Sequence, residues 1–254
     1  MNDGSKGICR MSVVPMRATS KNGSVLLSEL LFGEHYTVLD EKNDKIQIQL
    51  YFDDSTGWIR SDQHTPISEE YFQQVNLSDY KVCIDLSGTI YFQKKHVHIL
   101  FGSVLPITTN ELFKLEEQVA FNGESKSLSQ KREFEYMREL MKKYLHAPYL
   151  SGGKTPFGVD EGGFIQQVFK VCGYRLSRTI EGQKSSGHEI LDLDAIAPGD
   201  LIFPKSHKDS GFIFLGGDEY AGIYNGSVAI VGSDEIGEKE FIARRVLLKN
   251  LIID

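Results

Sequence analysis

Residues 149–171 constrain the fold more than any other stretch of this 254-residue chain. Gly152, Gly153 and Gly158 permit tight turns and close backbone approach. Pro156 fixes one φ and blocks an early helix start. Asp160 then stands where an N-cap belongs, ahead of Phe164, Ile165, Val168, Phe169 and Val171. That spacing predicts a helix with one buried face. Cys172 falls in its last turn and Gly173 just past it, where glycine favours a helix stop. The stretch therefore reads as a glycine-rich loop feeding a helix N-terminus.

The flanks suggest an α+β unit. Phe134, Met137, Leu140, Met141 and Tyr144 recur at three- and four-residue intervals, so residues 129–145 read as an amphipathic helix with Ser129 as N-cap. Downstream, Ile196-Ala197-Pro198-Gly199-Asp200-Leu201-Ile202-Phe203-Pro204 reads as a turn feeding a buried strand. Residues 211–216, 219–224, 227–231 and 244–247 give further strands. A helix packed on a mostly antiparallel sheet fits this order.

The N-terminal half is strand-rich. Residues 8–15, 16–19, 24–31, 36–40 and 45–50 are short apolar or alternating runs, and Gly57-Trp58-Ile59 closes the set. Short strands at this spacing suggest a small barrel. Trp58, the sole tryptophan, is either a barrel core residue or an aromatic wall facing a ligand cleft. Residues 61–78 are polar, with a helix start at Ser68-Glu69-Glu70. Residues 82–84, 89–92 and 96–106 suggest a second, degenerate barrel. His96 and His98 share one face of a strand there, but no third ligand follows at a useful spacing, so no metal site is expected.

Composition narrows the partners. The net charge of −7 and the absence of a basic cluster argue against nucleic acid. No apolar run approaches the roughly 20 residues of a membrane span. Residues 1–7 carry no apolar signal core, which implies a cytoplasmic protein if the chain is complete, and a periplasmic or extracellular one if a signal was removed. Cys9, Cys83 and Cys172 are odd in number and widely spaced, which fits neither a disulfide framework nor a metal cluster.

Tyr149, Gly152, Gly153, Thr155, Pro156, Gly158, Asp160, Gly163 and Phe164 resemble the active-site segment of the NlpC/p60 cysteine peptidases, which cleave bacterial cell-wall peptides. The Pro198-Gly199-Asp200-Leu201 strand is similar to one of theirs, and Leu176-Ser177-Arg178-Thr179 partly matches a segment bordering their cleft. Pro15, Leu30-Leu31-Phe32-Gly33-Glu34, Val38 and Gly57-Trp58-Ile59 resemble a bacterial SH3 domain. The resemblance implies an α+β chain: a papain-like NlpC/p60-type domain preceded by one or two small all-β SH3-like barrels. The implied division is 1–64, 65–127 and 128–254, and the implied branch is the dipeptidyl-peptidase VI-like one.

The chemistry that the resemblance implies conflicts with the residues present. The nucleophilic cysteine position holds Glu161, the next holds Gly162 instead of serine, and Ser151 replaces a tryptophan. Aligning the Gly211-Phe212-Ile213-Phe214-Leu215-Gly216 strand puts Ser210 where the family has its catalytic histidine, with His207 three residues earlier. Such peptidases need a thiolate, a base and a group orienting the base. A helix N-terminus would favour the anionic form of Glu161 as it favours a thiolate, but acyl transfer to a carboxylate would give an anhydride. Cys172 lies roughly 16 Å further along the helix at about 1.5 Å per residue. The expectation is therefore a catalytically inactive homologue without cofactor or metal. It would bind a peptidoglycan-derived peptide such as L-Ala-γ-D-Glu-diamino acid through Asp160, Glu161, Tyr149, Ser151 and Trp58, with Asp160 holding the peptide's amino terminus. The alternatives are an active hydrolase with an atypical site, using His207 or Glu161 as base, and an interaction module with a closed pocket.

Overall fold

The computed structural model describes residues 4–92, 94–105, 120–237 and 240–247. Residues 1–3 of the N-terminal reading, and Pro106 with the rest of 106–119 in the expected second barrel, lie outside the described residues. The chain divides into two compact units. The first comprises Met1–Gln130 with Ser151–Thr155, and the second Lys131–Leu150 with Pro156–Asp254.

The first unit opens with β1 (Lys6–Ile8), β2 (Val13–Arg17), β3 (Leu26–Leu31), β4 (His35–Lys42), β5 (Lys45–Leu50), β6 (Thr56–Arg60) and β7 (Thr65–Ile67). They form one antiparallel sheet in the order β3-β2-β6-β5-β4-β1-β7. Alternation sets its faces, because successive strand side chains point opposite ways. Ile46, Ile48 and Leu50 of β5 join Val14, Met16, Val38 and Ile59 in a buried cluster, while Lys45, Gln47 and Gln49 stay half-buried on the other face. One expected strand, 8–15, breaks in two. Cys9 leaves the ladder because its N–H bonds the Glu34 carbonyl and its carbonyl takes the Gly33 N–H, each at 2.8 Å.

A helix, Glu69–Leu77, follows the sheet, with Ser68 accepting from the Tyr71 N–H as its cap. β8 (Lys81–Cys83), β9 (Ser87–Phe92), β10 (Lys95–Leu100), β11 (Ala120–Asn122) and β12 (Ser125–Ser127) complete a second antiparallel set in two small sheets. Its core holds Cys83, Ile90, Ile99 and Leu105, and also Phe32 from the turn after β3. The Phe32 carbonyl accepts from Val104 N–H, and Gly33 (φ 79°) passes so close to Val104 that a Cβ has no room. His96 packs on the Tyr91 ring at 5.1 Å, and His98 is within hydrogen-bond reach of Thr89 at 3.2 Å.

The expected helix over 129–145 is shorter, Phe134–Lys142, and its N-cap is Glu133 without a side-chain bond. Ser129 is captured elsewhere: its N–H donates to Asp79 Oδ1 at 3.0 Å, fifty positions away. Its Oγ, the atom a cap would use, pairs with Ser127 Oγ at 3.1 Å, and Ser129 itself lies four residues before the actual N-cap, Glu133. β13 (Lys154–Thr155) closes the first unit.

The second unit carries β14 (Gly158–Val159), the helix Glu161–Val171, a short helix Ile180–Gln183, β15 (His188–Ile190), β16 (Leu201–Pro204), β17 (Phe212–Gly216), β18 (Glu219–Tyr224), β19 (Ser227–Val231), a short helix Ser233–Ile236 and β20 (Phe241–Arg245). The sheet is antiparallel, in the order β15-β20-β16-β17-β18-β19. All four residues of β16 are buried, as suits a strand flanked on both sides. The helix Glu161–Val171 packs against β17 and β18, and Phe164 meets the Tyr144 ring edge-on at 5.7 Å. Gly173 ends this helix with φ 88°, a conformation that glycine adopts without Cβ strain. Among the described residues no helix is long and apolar enough to cross a membrane. The fold is α+β, and its first unit is strand-rich but also carries the helix Glu69–Leu77.

Candidate functional site

The front of the helix Glu161–Val171 is built from short-range rules. Asp160 is its N-cap, extended at φ −99° and ψ 176°, and its Oδ1 accepts the Gly163 N–H at 2.7 Å. This satisfies one of the amides that a helix start leaves without an intrahelical partner. The same carboxylate is gripped by a second group. Arg178 donates from Nη1 to Oδ1 at 2.8 Å and from Nη2 to Oδ2 at 2.9 Å. Both side chains are largely buried, so this fork is a strong, directional pair.

The segment that carries Arg178 is pinned to the helix. Gln183 Nε2 donates to the carbonyls of Gly162 and Ser177, each at 2.9 Å, and Gln166 Nε2 donates to the Leu176 carbonyl at 3.1 Å. Gly162 is part of the fit. A Cβ there would collide with the Arg178 carbonyl and sit 3.2 Å from its Nη1. The glycine where a serine was expected is therefore required by the backbone that crosses it.

Glu161 is the first helical residue and is half-buried. Its carboxyl is pushed above the usual carboxylate range, first by burial, with Asp160 and Asp209 adding like charge, against its own backbone N–H and Arg178. The helix terminus therefore does not make the charge as comfortable as its position alone suggested, because desolvation outweighs it. Asp209 is a carboxylate that sequence reasoning missed. It lies in an exposed turn and is a neighbour of position 161 only through the fold.

Ser210 is half-buried at the end of that turn, where its N–H donates to the His207 carbonyl at 3.0 Å. The next residue, Gly211, packs on the helix: a Cβ there would stand 3.0 Å from Ile165 and 2.9 Å from Ile180. The strand expected to present a base thus does run along the helix. His207 is exposed and is paired with Ser206 Oγ at 2.8 Å.

Tyr149 is 47% exposed. Its backbone bonds Gly226 and bridges in parallel to Val159, one residue before the cap. The structure thus groups Asp160, Glu161, Arg178 and Asp209. Ser151 and Trp58 belong to the first unit. In that unit Ser151 is exposed and leads into an anchored strand. The Lys154 N–H donates to Glu29 at 2.9 Å, and Lys154 Nζ donates to both Glu34 carboxylate oxygens at 2.8 and 2.9 Å, fully buried. Trp58 is half-buried and absent from the barrel's buried cluster, so the core reading of it does not hold.

All three cysteines are buried. Cys172 caps the far end of the helix, and burial pushes the Cys9 thiol up to about 12. The cluster at Glu161 can hold cations and hydrogen-bond donors or accept a proton, but it offers no thiolate. No group of three potential metal ligands occurs among the described residues.

Residues 146–240 match the NlpC/P60 family, and residues 16–63 match the bacterial dipeptidyl-peptidase Sh3 domain. A gamma-D-glutamyl-L-lysine dipeptidyl-peptidase of Bacillus subtilis (strain 168) is 25% identical over 232 residues, covering 85% of this chain and 74% of that protein. One of the same name from Bacillus cereus is 22% identical over 217 residues, and the match spans 76% of this chain and 64% of that protein. The crystal structure of an NlpC/P60 family protein from Bacillus cereus ATCC 10987 superposes with a TM-score of 0.80 at 18% identity, over 96% of this chain and 100% of that one.

Proposed function

We propose, from the premise that this chain carries an NlpC/P60 domain behind a bacterial dipeptidyl-peptidase SH3 domain, that it is a catalytically inactive homologue of a γ-D-glutamyl-L-diamino-acid endopeptidase that binds peptidoglycan-derived peptides. One observation carries the reading. The helix front has its cap, its Arg178 pair and its packed strand, while a carboxylate stands where the resemblance implies the nucleophile and every thiol of the chain is buried. A carboxylate beside Asp160 and Asp209 suits a cationic group such as the α-amine of a short peptide. Asp160 was the expected holder of that amine, but both its oxygens already serve Arg178. A carboxylate oxygen can accept more than one bond, so Asp160 is kept as a holder of the amine, and Glu161 and Asp209 are added to it. Tyr149, exposed beside the cap-forming strand, supplies an aromatic surface for the peptide. Ser151 and Trp58 belong to the first unit, and the proposed peptide site is drawn from residues of the second.

A second reading draws on the raised pKa of Glu161, which suits a carboxylate acting as general base on water. One experiment separates the two. L-Ala-γ-D-Glu-meso-diaminopimelate is titrated calorimetrically and followed by mass spectrometry with the native chain, with Glu161→Gln and with Glu161→Cys/Ser210→His. Gly162 is kept, because a side chain there meets the Arg178 carbonyl. Saturable heat without turnover in the native chain is the expected result. Turnover that disappears in Glu161→Gln would establish the hydrolase instead, and no heat at millimolar peptide would remove the binding reading.

A further inference from the structure

The first unit holds a groove that the peptide reading does not use. Its volume is about 290 Å³, at the small end of ligand pockets, which run from roughly 300 to 1,000 Å³. Register explains its walls. On β6, Gly57 and Ile59 turn into the core, so Trp58 and Arg60 share the opposite face. Trp58 lies across from Gln47 on β5 and from Arg17 on β2, and Arg60 lies across from Lys45. The sole tryptophan is thus placed among outward-facing cations by strand pairing alone.

The charge pattern is unusual for this chain. Arg17, Lys21, Lys45 and Arg60 line the groove against one carboxylate, Asp44, although the whole protein carries −7. Like charges directly opposite on a sheet face destabilise it, and Lys45 and Arg60 are such a pair. Local contacts offset part of this. Lys45 Nζ donates to the Ser20 carbonyl at 2.7 Å and to Asn22 at 2.9 Å, Arg17 Nη1 donates to the Ser24 carbonyl at 2.7 Å, and Arg60 is forked onto Asp62. These bonds hold the 20–24 turn as one wall of the groove. They also leave Lys21 exposed and the Arg17 guanidinium with further N–H donors.

We propose that this groove binds an acidic sugar, with the ring face on Trp58 and the carboxylate or phosphate on Arg17 and Lys21. The three requirements of such a ligand meet here. An aromatic face accepts the C–H side of a pyranose. Guanidinium and ammonium donors pair with the acid. Asn22, Asp44 and Gln63 on the rim offer hydrogen bonds to hydroxyls. The groove is built by the first unit and the Glu161 cluster by the second, and each is tested by its own measurement.

Because Trp58 is the only tryptophan, intrinsic fluorescence reports this groove directly. The full chain is titrated with glucose 6-phosphate, N-acetylmuramic acid, glucose and inorganic phosphate. Saturable change with at least one acidic sugar by about 10 mM, weakening as salt rises, is expected. Arg17→Gln and Lys21→Gln, checked for native circular dichroism, are each expected to weaken it several-fold or more. Lys21 is exposed, so its loss leaves the fold intact. Glucose binding as tightly as the acidic sugars, inorganic phosphate binding as tightly as both, no saturation with either acidic sugar, or unchanged affinity in both variants would each overturn the proposal.

Discussion

Replacing Lys154 by methionine tests the anchoring of the glycine-rich segment most directly. The residue is 1% exposed, its ammonium lies 2.8 and 2.9 Å from the two Glu34 oxygens, and Glu34 Oε2 also accepts the Leu31 N–H at 2.9 Å. At an effective dielectric near 20, two unit charges at this separation attract by about 6 kcal/mol, most of which repays desolvation. Removing one partner leaves the other charge buried and costs about 3–5 kcal/mol. Lys154→Met should therefore lower stability by about 4 kcal/mol, read as a fall in the urea midpoint at unchanged slope. For a chain of this size that corresponds to roughly 8–16 °C in Tm. Glu34→Gln in the same background removes the orphaned charge and keeps an acceptor for Leu31, so the double variant should recover at least about 2 kcal/mol. A Lys154→Met loss under about 1 kcal/mol, or strictly additive singles and double, would refute the claim that this pair is desolvated and coupled.

Four further outcomes are expected. The carboxyl of Glu161 is raised in the fold, so it contributes stability that is full below its ordinary 4.5 and is lost as pH rises through the folded value. Glu161→Gln should thus be more stable than the native chain at neutral pH and lose that advantage in acid; denaturant titrations at several pH values check the sign. Gly162→Ala should cost about 2 kcal/mol despite alanine's helix preference, because the new Cβ meets the Arg178 carbonyl; an unchanged melting temperature would contradict this. Asp160→Ala removes the cap and strands a buried guanidinium, for a loss of at least about 3 kcal/mol by chemical denaturation. Neither polar atom of the fully buried Gln167 side chain meets a hydrogen-bond partner among the described residues. Gln167→Met should accordingly be neutral or gain about 1 kcal/mol, and a clear loss would reveal a buried water in its place.

Local elements were legible where local physics decides them. The cap at Asp160, the helix after it, the stop at Gly173 and the alternation of β5 follow from residue type and period. Residues whose partners are remote were not legible. Ser129 has the chemistry of an N-cap, yet its amide goes to Asp79 and the helix starts later. Arg178 stood in a recognised segment without a role until the fold placed it on Asp160. Asp209 could be found near Glu161 only once the turn before β17 was laid against the helix.

The sequence by itself raised the conflict at the helix front: Glu161 and Ser210 stand where the family resemblance implies a thiol and an imidazole. It also determined the α+β order of elements, because strand and helix periods are written in the chain. Tertiary structure alone decided what the remaining polar groups do. Asp160 is committed to Arg178, burial sets the proton affinity of Glu161, and strand register turns Trp58 outward among cations. Each of these depends on partners brought together from distant positions, and a sequence fixes such meetings only through the packing of the whole unit.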